Sequence, residues 1–248
     1  MRYVIFSDIH GNLEALEAVI AHAERQDYDA VLMLGDLVGY GADPNAVVDR
    51  IQALNPLASV RGNHDKVAAG METAESFNMA ARRAVSWTSA ALTSESQAYL
   101  AGLPEGPLVV DDDVEICHGA PSDEDRYVFE AVDAANALRD VRRPICFFGH
   151  THVQVVYELS DDHLLTMSTS DASSGRRLTL AVSSKYLVNP GSVGQPRDGD
   201  PRAAYALLDT ESRELMLFRV VYSVETAQEK IREAGLPEIL ASRLALGR

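Results

Sequence analysis

The sequence predicts an α/β protein built of two packed sheets with outer helices. Three observations carry that expectation. In the first half of the chain short apolar runs alternate with helical patterns, the grammar of a sheet with crossover helices. From Gln154 onward the pattern turns strand-rich and mainly antiparallel. The composition, 46% apolar and 24% charged over 248 residues, is that of a globular chain that can bury a sizeable core without disulfide staples.

The elements follow in order. Tyr3 to Phe6 reads as a buried strand, and Leu13 to Arg25 as a helix whose apolar face is Leu16, Val19, Ile20 and Ala23, with Asn12 as N-cap. Ala30 to Leu34 is the next strand. Asp43 as N-cap and Pro44 at the first helical position open a helix to Leu54. Ala58 to Val60 makes a short third strand. Glu75 to Thr93 reads as helix, and Ser94 with Gln97 as a capping box for a short helix to Leu100. Leu108 to Val110 and Val114 to Cys117 form a hairpin about the acidic turn Asp111-Asp112-Asp113. Ala131 to Leu138 is helical and Ile145 to Phe148 a strand. Strands then follow at Gln154 to Leu159, Leu178 to Val182, Tyr186 to Val188, Ala203 to Leu208 and Glu214 to Val221. Ser168 to Gly175 is polar and small, an expected exposed loop, and Val224 to Ala234 is the last expected helix.

Charge and cysteine usage narrow the function. The formal charge is −15, which argues against an extended nucleic-acid partner, since such binding relies on Lys and Arg along phosphates. A phosphorylated substrate stays open, because bound cations can reverse a local field. No run of about 18 apolar residues offers a membrane span, and the first residues show no secretory pattern. Cys117 and Cys146 make neither a CxxC nor a disulfide framework, so a reducing cytoplasm is the expected compartment.

The chemistry is concentrated where apolar runs end. Asp8-Ile9-His10, Gly35-Asp36, Gly62-Asn63-His64-Asp65, His118-Gly119 and Gly149-His150-Thr151-His152 each follow a strand at once. Side chains at strand ends converge on one edge of a sheet, where open α/β folds place their sites. Five of the seven histidines fall in these strings; the exceptions, His22 and His163, are expected to be solvated. Oxygen and imidazole donors without a required thiolate suit Mn, Fe, Zn, Ni or Co. Seven such groups are too many for one ion and suit two that share a carboxylate, an arrangement that can activate water for displacement at phosphorus. Cys117 is expected to be a buried strand thiol and not a ligand.

The strings DIHGN, GDLVGYG, RGNHD, HGAP and GHTHV resemble, in order, the five signature blocks of the calcineurin-like metallophosphoesterases. The later NPGSVGQPR is similar to the variant in small bacterial and archaeal phosphodiesterase-like members. The resemblance runs from about Arg2 to Asp209. It implies a four-layer α/β/β/α sandwich of two mixed sheets with outer helices and a dinuclear site, in a single domain over 1–248. It implies that Asp8, His10 and His152 bind the first metal, that Asn63, His118 and His150 bind the second, and that Asp36 bridges. Manganese is the favoured ion among the divalent transition metals. A metal-bridging hydroxide would be the nucleophile, and His64 the general acid or charge stabiliser at the leaving oxygen. Asp65 would orient or charge-tune that imidazole.

Several assignments stay open at this level. Arg197 either holds a nonbridging phosphate oxygen or is an exposed loop residue paired with Asp198 or Asp200. Tyr40 either lines the pocket or packs. The helical insertion at 71–103, with Phe77, Trp87 and Tyr99, either caps the site and selects substrates or is a plain hairpin buried on the sheet. The resemblance to the small phosphodiesterase-like members implies phosphodiester hydrolysis of a small, nucleotide-like phosphorylated substrate, with no membrane involved. The alternatives are a phosphomonoesterase, such as a protein phosphatase or a dinucleoside-polyphosphate hydrolase, and a noncatalytic scaffold. The presence of His64 beside all seven candidate ligands argues against the scaffold.

Overall fold

A computed structural model describes residues 1–161, 163–168 and 175–248. Along the chain β1 (Arg2–Phe6), α1 (Leu13–Ala23), β2 (Ala30–Met33), α2 (Pro44–Leu54) and β3 (Ala58–Ser59) come in the expected order. They are followed by α3 (Asn63–Ala68), α4 (Met79–Ala91), α5 (Ser94–Ala101), β4 (Leu108–Val109), β5 (Val114–Ile116), α6 (Ala131–Asp140) and β6 (Ile145–Phe147). The last part is β7 (Val155–Ser160), β8 (His163–Ser168), β9 (Arg176–Thr179), β10 (Lys185–Asn189), β11 (Ala203–Asp209), β12 (Glu214–Val220), α7 (Val224–Glu233) and α8 (Glu238–Leu244).

The strands form two six-stranded mixed sheets, ordered β3-β2-β1-β11-β12-β9 and β4-β5-β6-β10-β7-β8. In each, three strands run parallel: β1, β2 and β3 in the first, β5, β6 and β10 in the second. The pleat sends alternate residues to opposite faces, and both faces are buried. Val4 and Phe6 pack under α1 and α2, while Tyr3 and Ile5 meet the other sheet. In β6, Ile145 and Phe147 face the first sheet, and Cys146 lies with Ala134, Ala137 and Leu138 of α6. The layers are therefore helix, sheet, sheet, helix, as expected. Phe147 is fully buried between the sheets, so Phe147→Ala is expected to cost about 3–5 kcal/mol of stability. Urea unfolding checks this; a loss below about 1 kcal/mol would mean the sheets do not pack there.

Several local expectations are corrected. Helix α4 starts at Met79, four residues after Glu75, because Asn78 caps it by accepting from the Ala81 amide. The cap of α5 is Thr93, whose hydroxyl accepts from the Ser96 amide, and not Ser94 with Gln97. Asp43 stands at the N-cap of α2 but makes no side-chain cap bond; its carboxylate accepts from Lys230 at 2.8 Å. Strand β9 ends at Thr179, short of Val182. Helices α3 and α8 and strand β8 were not anticipated. His163 lies on β8, which pairs with β7 at the edge of its sheet, where no apolar run is required. His22 is half-buried and partnered, not freely solvated: its Nδ1 is 2.7 Å from the Tyr205 hydroxyl, and its ring packs on Tyr205 and Phe218. Most of the expected loop at Ser168 to Gly175 falls outside the described residues. Among the described residues no helix is long and apolar enough to cross a membrane.

Candidate metal centre

The carboxyl ends of the parallel strands of both sheets point to one end of the sandwich, and every candidate ligand lies just beyond one of them. The loops after β1 and β2 are bonded to each other: the Asp8 amide donates to Gly35 O at 3.1 Å and the His10 amide to Asp36 O at 2.9 Å. The second sheet is tied in through the His150 amide, which donates to Asp8 Oδ1 at 3.0 Å. The approach is close enough that a Cβ on Gly149 would overlap Ser7 Oγ. Asp8, His10, Asp36, His150 and His152 all adopt left-handed backbone, with φ between 52° and 66°. For residues other than glycine this costs roughly 1–3 kcal/mol each and is typical of functional sites.

Two groups result, and they share one residue. Asp8, His10, Asp36 and His152 form the first; Asp36, His118 and His150 form the second. Asn63 joins the second, its Oδ1 3.3 Å from His118 Nε2. The Asp36 carboxylate is divided between tasks. Its Oδ1 accepts from the His64 amide at 2.9 Å. Its Oδ2 lies 3.4 Å from His10 Nε2 and 3.5 Å from His118 Nε2, midway between the groups.

The outer nitrogens settle which way the imidazoles face. His10 Nδ1 is 3.0 Å from Val38 O, His118 Nδ1 2.8 Å from Leu34 O, His152 Nδ1 2.6 Å from Gln195 O, and His150 Nε2 3.1 Å from Asp125 O. A carbonyl can only accept, so each of these outer nitrogens carries a proton, and in the neutral ring the inward nitrogen is the one left to present a lone pair. His10 and His152 then face each other across 3.0 Å, and His118 and His150 across 3.1 Å. Converging lone pairs with carboxylates beside them fit a divalent cation with a taste for nitrogen and oxygen.

The electrostatics agree. Burial opposes charge on both Asp36 and His118, but their attraction outweighs it. Asp36 is held well below the usual carboxylate range, and His118 is pushed up to about 10. Burial, with Asp36 adding repulsion, pushes Asp8 up to about 6. Burial also lowers His10 and His152. The proton on the inner nitrogen of His118 thus faces Asp36 where a divalent ion would displace it, since a ligating imidazole must be neutral.

His64 stands beside the ligands, with its ring against His10 at 4.9 Å, Tyr40 at 4.4 Å and Phe77 at 4.6 Å. Its buried Nδ1 has no hydrogen-bond partner, and burial pushes the imidazole down to about 4, with Asp36 opposing. Asp65 does not contact that nitrogen. Its Oδ2 accepts from the Gly62 amide at 3.0 Å and its Oδ1 from the Val38 amide at 3.2 Å. It caps α3 and holds the loop that orients His10, so it touches His64 only through the backbone of that turn. Arg197 lies over the Tyr40 ring, 5.5 Å from its centre, with Nη2 donating to Gln195 Oε1 at 2.9 Å and Nε unpartnered. The carboxylates that were its alternative partners are engaged elsewhere, Asp198 with Arg219 and Asp200 with Arg202.

Three supports escaped the sequence reading. Asn189 Nδ2 donates to Gly149 O at 2.8 Å and Thr151 Oγ1 at 2.9 Å, and Ser192 Oγ donates to Asp8 O at 2.7 Å. Gln195 supplies the carbonyl for His152. Their signal was present in NPGSVGQPR, of which only Arg197 had been singled out.

A profile described as the calcineurin-like phosphoesterase superfamily domain matches residues 1–213. The chain belongs to that superfamily. This calcineurin-like phosphoesterase is similar to an uncharacterized protein of Methanocaldococcus jannaschii, 36% identical over 98% of this chain and 97% of the relative. It is similar to the crystal structure of a metallophosphoesterase from Sphaerobacter thermophilus, with 40% identity, a TM-score of 0.86, and coverage of 100% of this chain and 99% of that one. A hypothetical protein from Pyrococcus horikoshii OT3 shares the fold, with a TM-score of 0.79 at 19% identity over 100% of this chain and 98% of the other. Membership and the Asp/His groups together support a phosphoric ester hydrolase.

Proposed function

We propose that the protein hydrolyses phosphodiesters of small, nucleotide-like molecules with two divalent cations, manganese being the favoured ion. The observation that carries the reading is Asp36 Oδ2 midway between two imidazole groups. Asp8, His10 and His152 would hold one ion, Asn63, His118 and His150 the other, and Asp36 both. When bound, such a pair supplies Lewis acidity and a water of lowered pKa. The residues of the chain do the rest. Arg197, its guanidinium backed by Tyr40, would hold a nonbridging oxygen. His64 protonates the departing oxygen as the P–O bond breaks, gaining its proton as the anionic substrate arrives, since a nearby anion favours the charged imidazole. The charge of −15 supports a small substrate over a long nucleic acid.

Metal analysis of purified protein, followed by rates on matched mono- and diesters with added manganese, tests the reading. Two transition-metal ions per chain and faster diester turnover are expected. Inorganic phosphate should inhibit competitively, and its binding should vanish when the metals are stripped, because bare carboxylates repel it. Faster monoester turnover would overturn the diester assignment, and phosphate binding that survives metal removal would overturn the metal one.

A further inference from the structure

Beside the second metal group lies a cavity of about 220 Å³ whose lining includes Asn63, His150 and two aromatic side chains, Phe77 and Tyr127. That is below the roughly 300–1,000 Å³ of pockets for drug-sized ligands, so it has room for one ring system. Tyr127 is 44% exposed and stacks on His150, ring centres 3.8 Å apart and planes 24° from parallel. Phe129 stacks behind Tyr127 at 5.1 Å. Phe77, also on the lining, rests on His64. Each ring packs on an imidazole of the site, so both lie within reach of a group attached to a phosphate held there.

The charge of the same cavity points against a second phosphate. Its lining cation, Lys66, is buried and already engaged by Glu72 at 2.9 Å, Glu124 at 3.1 Å and Asp125 at 2.6 Å. Arg61 behind it is paired with Glu105 and Glu124. Four carboxylates therefore surround two cations, and Glu72 and Asp125 stand on the lining itself. Arg197 is not among the lining residues; it lies with Tyr40 beside the first metal group.

We propose that the Phe77–Tyr127 cavity is the subsite for the organic part of the substrate, and that it takes a flat, uncharged ring with no second phosphate beside the reacting one. This rests on the phosphodiesterase reading above and deepens it, since it sets a ring-bearing ester against a polyphosphate. The two faces of Tyr127 are taken by His150 and Phe129. Contact with the Phe77 ring and with the edge of Tyr127 gives the preference for a ring, since aromatic rings pack edge-to-face as well as stacked. The carboxylates disfavour added negative charge.

The test is calorimetric binding of phosphonates to the metal-loaded protein. Phenylphosphonate is expected to bind more tightly than ethylphosphonate, and 1,4-phenylenediphosphonate more weakly than phenylphosphonate. Tyr127→Ala and Phe77→Ala should each reduce the phenyl-to-ethyl affinity ratio by about 2- to 10-fold, while Tyr127→Phe retains it. Glu72→Gln should narrow the penalty on the diphosphonate. Metal content measured on each variant separates loss of the ring contact from loss of the centre. Equal binding of phenyl- and ethylphosphonate, or a diphosphonate that binds tightest, would overturn this subsite and leave the phosphodiesterase reading standing. No binding of any phosphonate to protein carrying two metals would overturn both.

Discussion

Asp36→Ala is expected to lose at least half of the bound metal and essentially all turnover. Its two carboxylate oxygens do different work, and alanine removes both. Without Oδ2 the two imidazole groups share no anion. The pair His10 and His152 keeps Asp8, while His118 and His150 keep only the neutral Asn63. Without Oδ1 the amide of His64 loses its acceptor at the start of α3. The second group should therefore empty first. Asp36→Asn preserves the shape and isolates the charge, and should show the same order of loss with less damage to folding. Metal content by elemental analysis beside turnover reads the result. A variant with two metals per chain and normal turnover would remove Asp36 from its shared position.

His64→Ala separates chemistry from binding. The ring touches Tyr40, Phe77 and His10 but supplies no atom to either metal group, so metal content should stay near wild type. General acid catalysis is typically worth about 10²–10⁴-fold, and kcat should fall within that range. The loss should depend on the leaving group. An alkoxide needs a proton as the P–O bond breaks, whereas nitrophenolate departs readily without one. Nitrophenyl esters should therefore suffer less than alkyl esters. A variant that loses its metals would make His64 a ligand. One that keeps them but loses the same factor on both ester types would leave it only a positioning role.

The seven candidate ligands were legible because each sits in a contiguous string directly after a strand, so a run of apolar residues followed by Asp, Asn or His reports its own position. The layered fold was legible for the same reason: strands such as Tyr3 to Phe6, buried on both faces, read as unbroken apolar runs. What escaped was carried by groups that every residue has. Val38, Leu34, Gln195 and Asp125 orient the histidines through main-chain carbonyls, and no side-chain pattern marks that. Asp65 follows His64 in sequence, yet the first turn of α3 directs its carboxylate to the amides of Gly62 and Val38. His22 looked exposed on an alanine-rich helix because its partner, Tyr205, is 183 residues away.

The pairing of β1 with β11 joins Arg2 to Asp209, and this bears on when the protein can fold during synthesis. By His152 the ribosome has made every candidate ligand. Yet β1 then has a neighbour on one side only, and β6 lacks β10, whose Asn189 steadies the His150 loop. At about 5–20 residues per second, several more seconds pass before β11 emerges. Until then an apolar strand edge stays open and the ligand loops lack their supports, and an open edge of that kind favours aggregation. Release of the last third of the chain is thus the step that converts a set of strand-end side chains into a centre.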